Sequence, residues 1–145
     1  DIGALPSGWT SMARIHAGFS ELKASHLYLA AAAKSGEGAP AHLLLFYAAE
    51  CGLKYAHLRR NNFRTTEQLE AVDHDLGLLL KKLNLSASAI GGAPTLRLAR
   101  DERESCPPSS AHQAWRYGVR IQTGDEAQFV SWLRRICDVV VPEYL

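Results

Sequence analysis

The feature that most constrains this chain is the segment AHLLLFYAAECGLKYAHLRRN at 41–61, which predicts a helix that is apolar over most of its circumference. A helix with so little polar surface has to be covered by other elements or by a partner. The chain has 145 residues, 47% of them hydrophobic, enough for one well-buried core and too few for two ordinary domains. We therefore predict a single domain over 1–145 with its core at about 11–141.

An amphipathic helix is also predicted towards each end of the chain. Residues 11–34 carry one apolar seam, formed by Met12, Ile15, Phe19, Leu22, His26, Leu29 and Ala33. The closing helix opens at Thr123, with Glu126 in the spacing of a capping box, and Pro142 ends it. Its apolar face is formed by Phe129, Leu133, Ile136, Cys137 and Val140.

The segment VDHDLGLLLKKLNL at 72–85 predicts a further helix, because its leucines recur at helical spacing. Asp73 is expected to be the N-cap, and Asp75 favours the positive end of the helix dipole. Both aspartates then have a local role, and His74 between them is interpreted as incidental to a capped helix start.

The remaining segments predict only short elements. Thr65 with Gln68 predicts a capping box for a short helix. TLRLARDERES at 95–105 predicts a short, highly charged helix, and no alternating strand pattern occurs along the chain. The predicted fold class is all-α, an up-and-down bundle of four principal helices with one or two short extra helices.

Charge, cysteine usage and hydropathy limit the classes of function. Sixteen basic and fifteen acidic residues give a net charge of +1, so bulk electrostatics favour neither nucleic acid nor an anionic membrane. Eleven of the basic residues are arginine, which suits bidentate recognition of phosphate or carboxylate.

The three cysteines lack metal-ligand spacing and indicate free thiols in a reducing compartment. With short apolar runs and no basic-then-apolar leader, we expect a cytoplasmic protein with no membrane partner, metal or cofactor.

Polar residues on the apolar helices are candidates for a site. His26 lies on the seam of the first helix, where we expect a core histidine with one ring nitrogen satisfied by a neighbouring helix. A polar stripe on the second helix is formed by Glu50, Lys54, His57 and Asn61. A paired ridge explains this stripe, and so does a catalytic set, because an acid, a base and a cation share one helical face. The resulting alternative candidate site consists of Glu50, Lys54, His57 and His74.

A second candidate lies in HQAWRYGVR at 112–120, which is dense in aromatic and cationic groups. The candidate contacts to RNA or phosphate are Trp115, Arg116, Tyr117 and Arg120. Aromatic and guanidinium planes stack on unpaired bases while the charges meet phosphates. In the alternative, Trp115 and Tyr117 pack into the bundle and the arginines pair with nearby acids.

The order and spacing of these segments resemble the HEPN superfamily of small helical bundles, over most of 11–141. The best-matched parts are the A-E-x-x-L-K pattern at 49–54 and the H-D-L pattern at 74–76. They are followed at matching intervals by WRYGVR at 115–120 and by a closing amphipathic helix. In this family the H-D-L pattern marks the start of the third helix.

The resemblance implies two branches of function. Many HEPN proteins are metal-independent ribonucleases, in which an arginine and a histidine with four to six residues between them meet in a cleft at a dimer interface. Here no arginine is followed by a histidine at that distance, and no histidine follows His112. The resemblance therefore implies the other branch, a non-catalytic subunit. Such a subunit acts as a homodimer or as a hetero-oligomer with a larger effector protein, with RNA as a candidate ligand, in a prokaryotic defence or toxin-antitoxin system.

The alternative is a divergent metal-independent ribonuclease with a relocated general base. Arg116 and Arg120 then supply the cations, and the base is chosen from His57, His74 and His112. The two functions differ in what they require of the fold. An enzyme has to bring a histidine within reach of one of these arginines, whereas a scaffold needs an exposed apolar patch and no basic cleft.

Overall fold

The structure, a computed structural model, describes residues 15–69, 74–83 and 90–145. The described chain is mostly helical with one small sheet, which confirms the helical class. The α-helices are α1 (Phe19–Ser35), α2 (Gly38–Asn61), α3 (Leu76–Lys82), α4 (Ala111–Tyr117) and α5 (Thr123–Arg135). A π-helical turn (Ile136–Val140) extends α5, and 3-10 turns lie at Thr66–Gln68, Pro108–Ser110 and Val141–Glu143. The sheet pairs β1 (Leu96–Arg97) with β2 (Ser105–Cys106).

The apolar helix α2 lies at the centre of the fold. It packs against α1 along its length and also contacts α3, α4, α5 and the π-helical turn. Its side chains Phe46, Leu53 and Leu58 are fully buried. The chain itself therefore supplies the cover that this helix requires. Asn62 adopts a left-handed conformation with φ 55° and ends the helix.

The first helix is shorter than its apolar pattern. It begins at Phe19, and Ile15 lies outside it with 92% of its surface exposed. Met12 is not among the described residues. His26 is 3% exposed, and its Nδ1 lies 2.8 Å from the carbonyl oxygen of Ala48 on α2, which confirms the predicted core histidine.

The third helix is capped by a different aspartate from the one predicted. Asp75 is the N-cap of α3, and its side chain accepts a hydrogen bond from the backbone N–H of Leu78 at 3.0 Å. Asp73 lies outside the described residues. Leu76 and Leu79 are buried, as their periodicity predicted.

The prediction of a charged helix at 95–105 is wrong, because this segment forms a β-hairpin. Leu96 pairs with Cys106 and Arg97 with Ser105 in antiparallel register. Leu96 and Leu98 are buried while Arg97 is exposed, and this alternation fits a strand and not a helix. The charges that suggested a helix lie near the tip of the hairpin, where Arg100 pairs with Glu104 at 2.8 Å.

The two predicted capping boxes have different outcomes. The box of Thr65 and Gln68 is confirmed at the 3-10 turn. The predicted box at α5 is wrong, since the N-cap is Gln122 and makes no side-chain capping hydrogen bond. Glu126 instead accepts a hydrogen bond from the indole Nε1 of Trp115 at 3.0 Å, so it holds α4 against α5.

Candidate active site

A cluster of six polar side chains forms where α2, the turn that precedes α3, and α4 meet. We call it the His74–His112 cluster, and its members are Tyr47, Glu50, Lys54, His74, His112 and Arg116. The three members from α2 share one helical face, because they are spaced i, i+3 and i+7. His112 and Arg116 lie one turn apart on α4. Helical spacing therefore brings together the three members on α2 and, separately, the two members on α4, and the packing of these helices unites the two groups.

Glu50 is the centre of this cluster. Glu50 is 7% exposed, and each of its two carboxylate oxygens contacts a different side chain. Oε2 lies 3.0 Å from the Nζ of Lys54, and Oε1 lies 2.9 Å from the Nδ1 of His74. A buried carboxylate is tolerated when it is paired in this way. The side chains of Lys54 and His74 are 27% and 40% exposed, so both partners reach solvent.

The contact with Glu50 determines which nitrogen of His74 can accept a proton. A carboxylate oxygen only accepts hydrogen bonds, so the hydrogen resides on Nδ1. In the neutral ring the lone pair then resides on Nε2, which is the arrangement of a general base oriented by a carboxylate. The interpretation of His74 as incidental is therefore wrong.

The backbone of His74 is also unusual. Its φ is 53°, in the left-handed region that favours glycine. A non-glycine residue in this region costs about 1 kcal/mol, and such residues concentrate at functional sites. In this conformation the ring of His74 contacts Glu50, and the next residue, Asp75, caps α3.

His112 lies beneath His74. It is 3% exposed, and its ring centre is 4.2 Å from that of His74 and 5.0 Å from that of Phe46. Burial lowers the pKa of His112, and the charges of His74 and Arg116 lower it further; the charge of Glu50 opposes the shift. The Nδ1 of His112 is buried and makes no hydrogen bond of good geometry to a described residue, although the Ser109 backbone offsets part of the shift.

Arg116 brings a cation to the cluster. Its guanidinium donates a hydrogen bond to the hydroxyl of Tyr47, and this bond is the main reason that the pKa of Arg116 is raised. The ring of Tyr47 is centred 6.5 Å from that of His74 and 6.2 Å from that of His112. Tyr47 therefore lies beside both histidines and binds Arg116, and the charge of Arg116 acts on His112.

The four residues predicted at 115–120 as contacts to RNA or phosphate do not form one group in the structure. Trp115 is 6% exposed and packs into the bundle against Phe129, as the alternative expected. Tyr117 is 69% exposed, with the Arg116 Cζ 6.0 Å from its ring centre. Arg120 lines a cavity of about 220 Å³ that contains none of the six cluster residues.

The predicted stripe on α2 is divided as well. Glu50 forms the predicted ion pair with Lys54 and also reaches His74. His57 is 4% exposed, and its Nε2 lies 2.7 Å from the carbonyl oxygen of Leu79, so it ties α2 to α3. Burial lowers the pKa of His57. His57 therefore has a structural role, and the prediction that it belongs to the candidate site is corrected.

Tyr47 is the cluster residue that the sequence reasoning missed. The signal was present, since Tyr47 lies three residues before Glu50 and seven before Lys54 on the polar face. His112 and Arg116 are spaced i and i+4 with the histidine first, which is the reverse of the order in the HEPN ribonuclease motif.

Among the residues that the structure describes, no three His, Cys, Asp or Glu side chains are arranged to hold a metal ion. None of the helices within 15–69, 74–83 and 90–145 has the length and apolarity of a membrane span.

Comparisons with models of protein families, with curated proteins and with solved structures found no match to this chain.

Proposed function

We propose that the protein is a metal-independent ribonuclease in which His74 is the general base. The observation that carries the proposal is the buried Glu50 carboxylate, which holds the Nδ1 of a partly exposed imidazole at 2.9 Å. Cleavage of RNA by its own 2′-hydroxyl needs a base for the hydroxyl proton and cations for the charge that develops on the phosphate oxygens. The cluster contains such a base and two cations, Lys54 and Arg116.

The ribonuclease branch of the HEPN superfamily offers an analogy for the same reaction, although this chain lacks the spacing of arginine and histidine that is typical of that branch. HEPN ribonucleases combine an arginine and a histidine in one cleft. This chain pairs Arg116 with His112 one turn earlier on α4, and the proposed base His74 comes from a different segment. We include in the proposal the up-and-down arrangement of four principal helices, α1, α2, α3 and α5.

Each residue then has a defined chemical role. Glu50 keeps the hydrogen on Nδ1 of His74 and stabilises the imidazolium that forms when Nε2 takes the 2′-hydroxyl proton. Arg116 is exposed and meets the non-bridging phosphate oxygens with two parallel N–H groups. His112 packs against the ring of His74 and limits its rotation.

Cleavage of end-labelled single-stranded RNA in excess EDTA tests this proposal. We expect wild-type protein to shorten the RNA, and both His74→Gln and Arg116→Ala to reduce the rate by about 100-fold or more. His16→Gln and Arg59→Ala are matched controls, because they change an exposed histidine and an exposed arginine outside the cluster. An inactive wild-type protein contradicts the proposal, and so does full activity of His74→Gln.

A second function, assembly through a partner, is supported by a different surface. Leu27 and Tyr28 on α1 are 48% and 75% exposed, and neighbouring exposed apolar side chains are typical of interaction surfaces. In this function the chain is a non-catalytic HEPN-like subunit of a prokaryotic defence or toxin-antitoxin system. It forms a homodimer or joins a larger effector protein, and RNA is a candidate ligand at Tyr117 and Arg120.

Sedimentation velocity over a range of protein concentrations tests the homodimer. A dimer that dissociates in the double variant Leu27→Lys/Tyr28→Lys supports assembly through α1. A wild-type protein that stays monomeric at every concentration contradicts the homodimer.

A further inference from the structure

The hydroxyl of Tyr47 takes part in a hydrogen bond whose direction is fixed by its partner. The guanidinium of Arg116 donates to it, from a residue 69 positions away in the chain. A guanidinium has only donors, so the hydroxyl oxygen is the acceptor in this bond. The hydroxyl hydrogen of Tyr47 is left for a different acceptor. Tyr47 is half-buried, so a ligand can reach it.

The proposed reaction needs a proton donor as well as a base, because the leaving 5′ oxygen departs as an alkoxide unless it is protonated. Other members of the cluster are poorly suited to this role. His74 is oriented as the base, and Lys54 is held by Glu50. His112 is 3% exposed, and its lowered pKa favours the neutral ring. The raised pKa of Arg116 means that the guanidinium keeps its proton.

Tyr47 is suitably located for the role. It lies on the same face of α2 as Glu50, and its ring centre is 6.5 Å from that of His74. In an in-line displacement at phosphorus the attacking and leaving oxygens lie on opposite sides of the phosphorus atom. A base and an acid on two adjacent but separate rings fit this requirement. The phenolate left after proton transfer is stabilised by Arg116.

We propose that Tyr47 is a second catalytic residue of this site, the general acid that protonates the leaving 5′ oxygen; this rests on the ribonuclease function proposed above. His74 Nε2 takes the proton of the 2′-hydroxyl, and the bond between the 2′ oxygen and phosphorus forms. The bond between phosphorus and the 5′ oxygen breaks, and that oxygen takes the hydroxyl proton of Tyr47. The products are a 2′,3′-cyclic phosphate and a 5′-hydroxyl, and water returns the proton from His74 to Tyr47.

A comparison of two leaving groups tests the role of Tyr47. Tyr47→Phe keeps the ring and removes only the hydroxyl. Uridine 3′-(4-nitrophenyl phosphate) has a leaving group that departs without protonation, whereas the nucleoside leaving group of RNA needs a proton. We expect Tyr47→Phe to slow RNA cleavage by about 100-fold and to change cleavage of the nitrophenyl ester by less than about 3-fold. Arg116→Ala should slow both substrates, because the cation stabilises the phosphate charge in either reaction.

Three results would overturn the assignment of Tyr47. Equal slowing of both substrates in Tyr47→Phe would mean that the hydroxyl only positions Arg116. Undiminished cleavage of RNA by Tyr47→Phe would mean that the hydroxyl has no part in the reaction. Both results leave the proposed ribonuclease function intact. A wild-type protein that cleaves neither substrate removes the ribonuclease function and this inference together.

Discussion

Glu50 is a buried carboxylate with one partner on each oxygen, Lys54 on one side and His74 on the other. Its exposure of 7% means that its negative charge is stabilised mainly by these two groups. The same contact fixes the hydrogen of His74 on Nδ1. A single side chain therefore controls both the charge balance of the cluster and the proton-accepting atom of its base.

Glu50→Gln should lower the catalytic rate constant by about 10² to 10⁴ while leaving the fold intact. The amide has the shape of the carboxylate, but it is neutral and does not stabilise an imidazolium. It can also donate to Nδ1 and so reverse the tautomer of His74. Single-turnover cleavage of labelled RNA measures the effect, with the exposed carboxylate variant Glu67→Gln as the control. Unchanged turnover in Glu50→Gln would contradict the role assigned to this residue.

The stability of the protein should decrease in mild acid because of His112. Burial, His74 and Arg116 all lower the pKa of its ring, so the native state favours the neutral form. The unfolded chain takes up the proton at the ordinary histidine pKa of about 6.5. Below that pH the unfolded state therefore binds more protons than the native state. The free energy of unfolding is highest above that pH and falls as the pH decreases below it.

Urea unfolding at about pH 8 and about pH 5.5 measures this dependence. His112→Phe keeps an aromatic ring beside Phe46 and should reduce the loss of stability, whereas the exposed-site variant His16→Gln should not. Some loss should remain in His112→Phe, because burial also lowers the pKa of His57. Equal stability of the wild-type protein at the two pH values would contradict the prediction.

Among the elements, helices with a clear apolar repeat are predictable from the sequence, whereas the hairpin is not. The apolar positions of α2 and α3 repeat at helical spacing, and the structure buries them as expected. The hairpin at 96–106 was missed because the alternation of Leu96, Arg97 and Leu98 is too short to outweigh the charges that follow. The N-cap at Asp75 depends on the left-handed backbone of His74, which local sequence preferences do not predict.

Gly52 marks the closest approach of two elements to α2. A Cβ atom there would lie 2.6 Å from the Cγ2 of Val141 and 2.7 Å from the Nδ1 of His26. Gly52→Ala should therefore destabilise the protein by about 1 to 3 kcal/mol, despite the better helix propensity of alanine. Gly124→Ala on α5 is the matched control, because nothing lies within 4 Å of its Cβ, and it should stabilise by up to about 1 kcal/mol. Thermal unfolding of both variants measures the difference, and a stabilised Gly52→Ala would contradict this packing.

At the scale of the whole molecule, the fold brings together groups that are far apart in the chain. Glu50 and Lys54 were predictable as a pair because one helix carries both. The contact between Tyr47 and Arg116 spans 69 positions and depends on how α4 docks on α2, which periodicity does not specify. The sequence therefore indicated every member of the cluster except Tyr47, and the packing of the helices determines how those members meet.

We infer that Glu50 holds the hydrogen on the Nδ1 of His74 and leaves Nε2 as the proton acceptor. Long-range ¹H–¹⁵N correlation spectra of the histidine rings in the intact protein measure the tautomer directly. We predict that neutral His74 is the Nδ1–H tautomer, with an Nε2 shift typical of an unprotonated ring nitrogen, and that Glu50→Gln alters this state. A dominant Nε2–H tautomer, or a mixture of the two tautomers, would contradict this inference.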